Sequence, residues 1–240
     1  MTRPEAPGWR IPAALLLLAA PLASCHGGTE PVPFTETLDI AACDPAQGGF
    51  TTTIDNPYFP LAPNAQWVLE GDDNGTRLQV TVTVLDSSTD VAGVMNRILE
   101  ERETANGSLV EVSHNFFVQN QGGDVCYYGE DVDIYQNGVV VSHGGAWRAG
   151  VNGALPGIFM PASPTVGMGF RQEVAPGVAE DRVTITAVGD TVTVPAGTFT
   201  RTVRFLESTP LEPGARSRKV FAQGLGLIVD DKVRLVGHTP

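Results

Sequence analysis

The chain has 240 residues, of which 18% are charged, and its formal net charge at pH 7 is −12. Such an acidic balance argues against binding to nucleic acid or to another polyanion, which needs a basic surface. The length is sufficient for one hydrophobic core, and all-β chains of this size commonly form a single domain.

The N-terminal segment has the order of charged and apolar residues that is typical of an export signal. Arg3 and Arg10 supply a positive region, and a short apolar run follows at residues 11–22. The run is too short for a transmembrane helix, which needs about 20 apolar residues. It ends in the string LASC, whose last residue is Cys25. This string resembles the lipobox of bacterial lipoproteins, in which a peptidase cuts before a cysteine that carries a diacylglyceryl group.

The lipobox predicts a signal peptide at residues 1–24 and lipid attachment at Cys25, and hence an exported protein anchored to a membrane. Two or more acyl chains give a stable anchor. His26 follows the cysteine where an aspartate would favour retention at the inner membrane, so the outer membrane is favoured if the cell is Gram-negative. The alternative is an ordinary signal peptide with an incidental cysteine. Removal of Arg3, Arg10 and Glu5 with the leader would change the net charge from −12 to −13.

Two further cysteines, Cys43 and Cys126, would remain in the mature chain. An oxidising compartment allows a disulfide between them, and two separate buried thiols are the alternative. Residues 25–49 contain Gly, Thr and Pro with little periodicity, which is typical of a tether. We therefore expect a lipidated tether at residues 25–49 and a single β-rich domain at residues 50–240.

Short β-branched and aromatic runs separated by turn signals predict an antiparallel all-β protein. Asn74-Gly75, Asn106-Gly107 and Asn137-Gly138 are hairpin signals, because Asn and Gly accept the positive φ of primed turns. Residues 91–103 also fit helical spacing, but we predict a strand there. The clearest strands are 66–70, 76–85, 109–119, 125–128, 139–142, 182–188, 199–208, 219–222 and 232–236.

A long antiparallel meander must curl or close to hide its edges, so we predict a barrel or half-barrel, with a two-sheet sandwich as the alternative. Residues 143–170 interrupt the strand pattern and are rich in Gly and Pro. Their content of apolar residues, including Trp147, Phe159 and Met160, predicts a loop folded over the barrel mouth. These three side chains are candidate ligand contacts if the loop is a lid, and core residues if it only plugs the barrel.

Arg171 and Glu173 follow this segment and would share one face of a strand, where they could clamp a polar ligand. The alternative is a cross-strand ion pair with Glu180 or Asp181.

Acidic residues beside turns are candidates for metal or acid–base chemistry. Glu130, Asp131 and Asp133 form a weak calcium candidate, because their spacing is not that of an EF-hand loop. An acidic catalytic site could combine Glu130 and Asp131 with Glu173 and Asp181. No cofactor motif is present, and no catalytic residue is identified by a nucleophile motif.

Several strings together resemble a family of bacterial exported proteins and lipoproteins. They are IDNPYFPL at 54–61, YYGED at 127–131, PGIFMPA at 156–162, RQE at 171–173, AED at 179–181, VPAGTF at 194–199 and FAQGLGLI at 221–228. The resemblance covers most of residues 54–237 and implies an exported β-rich body, with no settled reaction or cofactor. Two positions depart from the pattern: Asn64 replaces the usual glycine and Cys126 the usual tryptophan.

These observations favour an envelope-anchored, non-catalytic module that binds an apolar or amphipathic small molecule, or a partner protein of the envelope. A hydrolase or lyase with an acidic site is the first alternative, and a structural envelope lipoprotein is the second. Whether the protein is an enzyme stays open, although the sequence leans against it.

Overall fold

The computed structural model describes residues 34–240. The predicted signal peptide at residues 1–24 and the predicted lipid attachment site at Cys25 lie outside the described residues. The described chain is all-β apart from two short 3₁₀ helices, Ile40–Cys43 and Pro45–Gln47. No helix among residues 34–240 is long and apolar enough to cross a membrane.

Fifteen strands follow, numbered in chain order. They are β1 (Gln66–Asp73), β2 (Thr76–Val91), β3 (Val94–Ala105), β4 (Ser108–Gln119), β5 (Val125–Gln136), β6 (Val139–Ser142), β7 (Trp147–Arg148), β8 (Leu155–Met160), β9 (Gly169–Arg171), β10 (Glu173–Val174), β11 (Arg182–Val194), β12 (Gly197–Ser208), β13 (Ser217–Ala222), β14 (Gly226–Asp230) and β15 (Val233–Thr239).

The strands form one antiparallel sheet that is nearly closed into a barrel with a single seam, which confirms the predicted fold class. The order around the barrel is β10-β8-β5-β4-β3-β2-β1-β15-β14-β13-β12-β11-β9. Most neighbours are consecutive in the chain, as a meander requires. The first and last strands meet between β1 and β15, which pair directly.

The seam lies where β9 and β10 follow one another in the chain. β9 pairs with β11 and β10 pairs with β8, so one short segment of chain contacts both ends of the sheet. A Cβ atom at Gly157 would lie 2.4 Å from the carbonyl oxygens of Arg171 and Gln172. Glycine at this position of β8 therefore allows the close backbone approach that brings the two ends of the sheet together.

The Asn-Gly pairs form the predicted hairpin turns. Asn74 and Gly75 have φ values of 53° and 86°, and the other two pairs have similar values. Most of residues 91–103, whose spacing also fits a helix, lie in the predicted strand, which is β3. A turn with positive φ at Ala92 and Gly93 connects β3 to β2. Asn64, where the resembling family usually has glycine, also has a positive φ of 69°.

The segment at 143–170 is more regular than a loop over the barrel mouth. It contributes β7 and β8, and β8 is a wall strand that pairs with β5 and with β10. Trp147 and the β8 residues Ile158, Phe159 and Met160 are buried because they belong to the wall, whereas Val151, Leu155 and Val166 are exposed.

The described part of the predicted tether, residues 34–49, packs on the barrel. We call residues 34–38 the N-terminal strap. The backbone N–H of Thr37 donates to the carbonyl of Gly169 in β9 over 2.7 Å, and Glu36 forms an ion pair with Arg171 at 3.0 Å. The folded body therefore begins upstream of Phe50, and its first residues cover the seam.

Cys43 and Cys126 form a disulfide with their Cα atoms 5.6 Å apart. It attaches the first 3₁₀ helix to β5, and the hydroxyl of Tyr128 donates to the carbonyl of Cys43 over 2.7 Å beside it. The chain that follows the strap is therefore fixed covalently to β5, two strands from the seam in the sheet order.

We expect the double substitution Cys43→Ala/Cys126→Ala to lower the free energy of unfolding by about 4 kcal/mol, because the bridge closes a loop of 83 residues in the unfolded chain. Urea unfolding followed by tryptophan fluorescence measures the change. Wild-type protein treated with a reductant is the matched control and should show the same loss. Equal unfolding midpoints for oxidised wild type and the double variant would contradict this expectation.

Candidate functional site

The barrel interior contains a cluster of buried charge in addition to its apolar core. Among the described residues, six carboxyl side chains and one lysine are buried. We call them the interior acidic cluster: Glu101, Glu103, Glu130, Glu173, Glu207, Asp230 and Lys219. Carboxylates are almost never fully buried without partners, so their positions require an explanation.

Strand alternation places these residues inside. On β3, Leu99, Glu101 and Glu103 occupy alternate positions and are all buried, whereas Arg102 between them is exposed. On β13, Lys219 and Phe221 are likewise both buried. Acidic residues and a lysine therefore occupy inward positions that apolar core residues would ordinarily occupy.

Lys219 is the centre of a buried ion triad. Its ammonium group donates to Glu207 Oε2 over 2.5 Å and lies 3.3 Å from Asp230 Oδ1, on the strand directly opposite. The hydroxyl of Ser217 also donates to Glu207, over 3.0 Å. Burial by itself lowers the pKa of Lys219, but the charges of Asp230 and Glu207 outweigh burial and raise the pKa above its ordinary value. Lys219 is therefore charged, and these two acids neutralise it.

Glu101 has no comparable partner. Its side chain is buried, and among residues 34–240 the fully enclosed side-chain atoms without a hydrogen-bond partner are Asn96 Oδ1, Trp147 Nε1 and Asp230 Oδ1, not the oxygens of Glu101. Burial and the nearby charge of Asp230 raise its pKa to about 8, and Lys219 opposes this only in part. Burial also raises the pKa of Glu103, Glu130 and Glu173 well above the ordinary value. Burial therefore favours the protonated form of these four carboxyls.

The larger cavity of the interior lies beside Glu101. Its volume is about 20 Å³, which is room for one water molecule. The walls are apolar and aromatic apart from Glu101 and Lys219. The other lining residues are Phe59, Leu61, Trp67, Val82, Leu99, Phe159, Phe221, Gly226 and Leu227. We call it the aromatic cavity.

A second cavity, of about 10 Å³, is polar. Its lining consists of Tyr127, Glu130, Phe159, Gln172, Glu173, Asp181 and Glu207. We call it the acidic cavity. The ring of Phe159 lines both cavities and packs against the rings of Phe59 and Phe117, with centroids 4.5 and 4.8 Å away. Glu173 accepts a hydrogen bond from the backbone N–H of Asp181 over 2.7 Å.

The three apolar candidates for ligand contact are all buried in the core. Trp147 packs edge-on against Tyr127 with centroids 5.3 Å apart, and the side chain of Met160 is fully enclosed. Of the three, only Phe159 lines a cavity. The described structure therefore contains no deep apolar pocket beneath residues 147–160.

Arg171 and Glu173 do not share a face. The Arg171 side chain is partly exposed and pairs with Glu36 of the strap, whereas Glu173 is buried in the interior acidic cluster. The backbone is not a regular strand between them, because β9 ends at Arg171 and β10 begins at Glu173. The predicted clamp is therefore wrong, and so is the alternative ion pair of Arg171 with Glu180 or Asp181.

The calcium candidate is also not assembled. Glu130 is buried inside, while Asp131 and Asp133 are exposed and pair with Arg148 at 2.6 Å and with His143 at 2.8 Å. Alternation along β5 separates Glu130 from the two aspartates. Within residues 34–240, no group of three or more His, Cys, Asp or Glu side chains has the arrangement of a metal site.

The acidic constellation considered for catalysis is partly assembled. Glu130, Glu173 and Asp181 line the acidic cavity together, whereas Asp131 lies outside the barrel. Sequence reasoning missed Glu101 and the ion triad around Lys219. Their spacing is the signal that could have found them, because each lies two residues from a buried apolar residue on its own strand and therefore points to the same face.

No family model matches this chain, and neither the curated proteins nor the solved structures gave a significant match.

We expect the protein to be more stable at about pH 5 than at about pH 8. The pKa of Glu101 is raised to about 8 in the folded state from an ordinary value of 4.5, so the folded state retains a proton that the unfolded chain loses. The stabilisation is complete below the unfolded pKa and is lost as the pH rises through the folded pKa. Asp230, with its pKa raised to about 6, contributes in the same direction.

Thermal and urea unfolding at a series of pH values measure this slope. The substitution Glu101→Gln should flatten it by up to about 1.4 kcal/mol per pH unit, the value for one proton. An equal dependence of stability on pH in wild type and the variant would contradict the assignment of this dependence to Glu101.

Proposed function

We propose that this protein is an exported, lipid-anchored protein of the cell envelope whose barrel binds an amphipathic small molecule, without catalysis, in the aromatic cavity. The observation that supports binding most strongly is Glu101, a buried carboxyl that lines an apolar, aromatic cavity and whose pKa burial raises to about 8. Ligand sites are commonly apolar with a few polar groups that fix orientation, and perturbed ionisable groups cluster at such sites.

Burial of a carboxyl costs free energy, and an apolar residue at position 101 would cost less. The neighbouring inward residue on the same strand, Leu99, shows that the wall accommodates an aliphatic side chain here. A polar group of a ligand beside Glu101 would offset part of this cost. The aromatic walls would contact the apolar part of the same molecule.

This location differs from the pocket expected under residues 147–160, where the core is filled. The aromatic cavity is small, so ligand access requires movement of a wall. The turn that carries Phe59 lines the cavity, so entry of a ligand there would break the backbone bonds of Leu61 N–H to Ile54 at 3.0 Å and Gly224 N–H to Pro57 at 2.7 Å, together with the bonds of the Asn56 side chain.

Two observations support the envelope location. The LASC string at residues 22–25 resembles a lipobox, and the Cys43–Cys126 disulfide is the kind of bond that persists in exported proteins. The resemblance to exported bacterial lipoproteins agrees with both. In this proposal the lipid on Cys25 holds the barrel close to a membrane, the outer one in a Gram-negative cell.

Native mass spectrometry of the full-length protein, extracted in detergent from its own envelope, tests the proposal. We expect a retained small molecule on wild type and its loss on Val82→Leu, because the added methylene fills a cavity of about 20 Å³. Val80→Leu is the matched control, since Val80 is buried on the same strand but does not line the cavity. No retained molecule on wild type, or equal retention by both variants, would contradict the proposal.

An acid–base enzyme is a second candidate, because Glu130, Glu173 and Asp181 converge on the acidic cavity and burial raises the pKa of each. A carboxyl of raised pKa can act as a general acid near neutral pH. A panel of chromogenic esters and glycosides tests this candidate over a range of pH. Activity that falls about 10²-fold or more in Glu173→Gln but not in Asp131→Asn would support it, and absent or equal activity would count against it.

A further inference from the structure

We infer that β6 is a docking edge for a second copy of this chain, with the two β6 strands pairing antiparallel across a two-fold axis. The inference concerns the outer strand of the β5–β6 hairpin and does not depend on the proposed binding function. It follows from the free edge of β6, from the absence of charge around it and from its contrast with another free edge of the same sheet.

β6 has one free edge. In the described part of the chain it pairs only with Ile134, Tyr135 and Gln136 of β5, and no strand pairs with its other side. The backbone groups of successive residues in a strand point to opposite edges. About half of the N–H and C=O groups of β6 therefore point away from β5, where a further strand could bind them.

The side chains of β6 are apolar and exposed. Val139, Val140 and Val141 are exposed by 64%, 37% and 56%. Alternate side chains of a strand point to opposite faces, so valine is exposed on both faces of β6. β-branched side chains pack well against their neighbours across paired strands. This edge therefore offers both free backbone groups and the side chains that stabilise a strand pair.

Another free edge of the sheet is protected, whereas β6 is not. β11 pairs with β9 only at residues 182–184, which leaves one edge of residues 186–194 without a partner strand in the described structure. There Asp190 supplies a charge that pairs with Arg204 at 2.9 Å, and three register shifts interrupt the strand. Charges and bulges are devices that prevent edge-to-edge association. β6 has a single bulge, and residues 134–142 include no charged residue.

The absence of charge favours a second copy as the partner. The chain has a net charge of −12, yet residues 134–147 contain no Asp, Glu, Lys or Arg. Of the flanking acids, Asp131 pairs with Arg148 at 2.6 Å and Asp133 contacts His143 at 2.8 Å. Salt screens exposed charges that lie farther apart than about 10 Å. Two acidic copies can therefore approach each other at this edge, where a two-fold axis brings identical valines together.

Sedimentation velocity of the full-length protein in a density-matched detergent tests the inference. A four-residue strand buries much less than the roughly 1,600 Å² of a standard interface, so we expect a dissociation constant on the order of 0.1 mM. The wild type should convert from monomer to dimer between about 10 μM and about 1 mM. Hydrogen–deuterium exchange at residues 139–142 should slow as the dimer forms, because free N–H groups become bonded.

Two variants locate the contact. Val140→Lys should weaken dimerisation at least tenfold, because the two-fold axis brings two lysines together and like charges across a strand pair repel. Val178→Lys is the matched control and should leave dimerisation within about twofold. Val178 lies between β10 and β11, is 43% exposed and undergoes the same change of charge. Unfolding curves establish that both variants are folded.

The other outcomes would overturn the inference. A wild type that is monomeric at every concentration would exclude the dimer. Equal dimerisation of wild type and Val140→Lys would place the contact away from β6, and equal losses in both variants would indicate a general effect of charge. Slow exchange at residues 139–142 that does not change with concentration would mean that another segment of the chain or a different protein covers this edge.

Discussion

The ion triad of Lys219, Glu207 and Asp230 is the interaction on which the barrel interior depends. One ammonium group pairs with two carboxylates at 2.5 and 3.3 Å, and all three side chains are buried. Removal of one partner of a buried pair typically costs about 3–5 kcal/mol, because the remaining charge is left without compensation. Burial raises the pKa of the other buried acids, Glu101, Glu103, Glu130 and Glu173, above the ordinary value. The interior therefore combines one charged lysine with carboxyls whose neutral form burial favours, and Glu101 is the carboxyl that lines the aromatic cavity.

Closure of the sheet shields the interior acidic cluster from solvent. The ends of the sheet meet at the short segment of β9 and β10, and the N-terminal strap covers this seam from outside. The disulfide then fixes the strap side of the chain to β5.

Hairpins could be predicted from the sequence because their signals are local. Asn74-Gly75 and its two counterparts form the expected turns, and alternating patterns located most strands. The seam could not be predicted, since pairing of β8 with β10 and of β11 with β9 depends on long-range closure. Residues 143–170 resembled a loop because Gly and Pro obscured a wall strand whose residues are nearly all buried.

The site was predicted only in part for a related reason. Glu130, Glu173 and Asp181 were grouped by their acidity alone, and they do line one cavity. Glu101 and Lys219 were missed because charged residues at inward positions contradict the ordinary reading of alternation. The most direct measurement is a carbon-13 NMR titration of the side-chain carboxyls, with Glu101 assigned through Glu101→Gln. We predict a midpoint for Glu101 near its pKa of about 8. A midpoint near the ordinary 4.5 would contradict a carboxyl whose pKa is raised by burial beside the aromatic cavity.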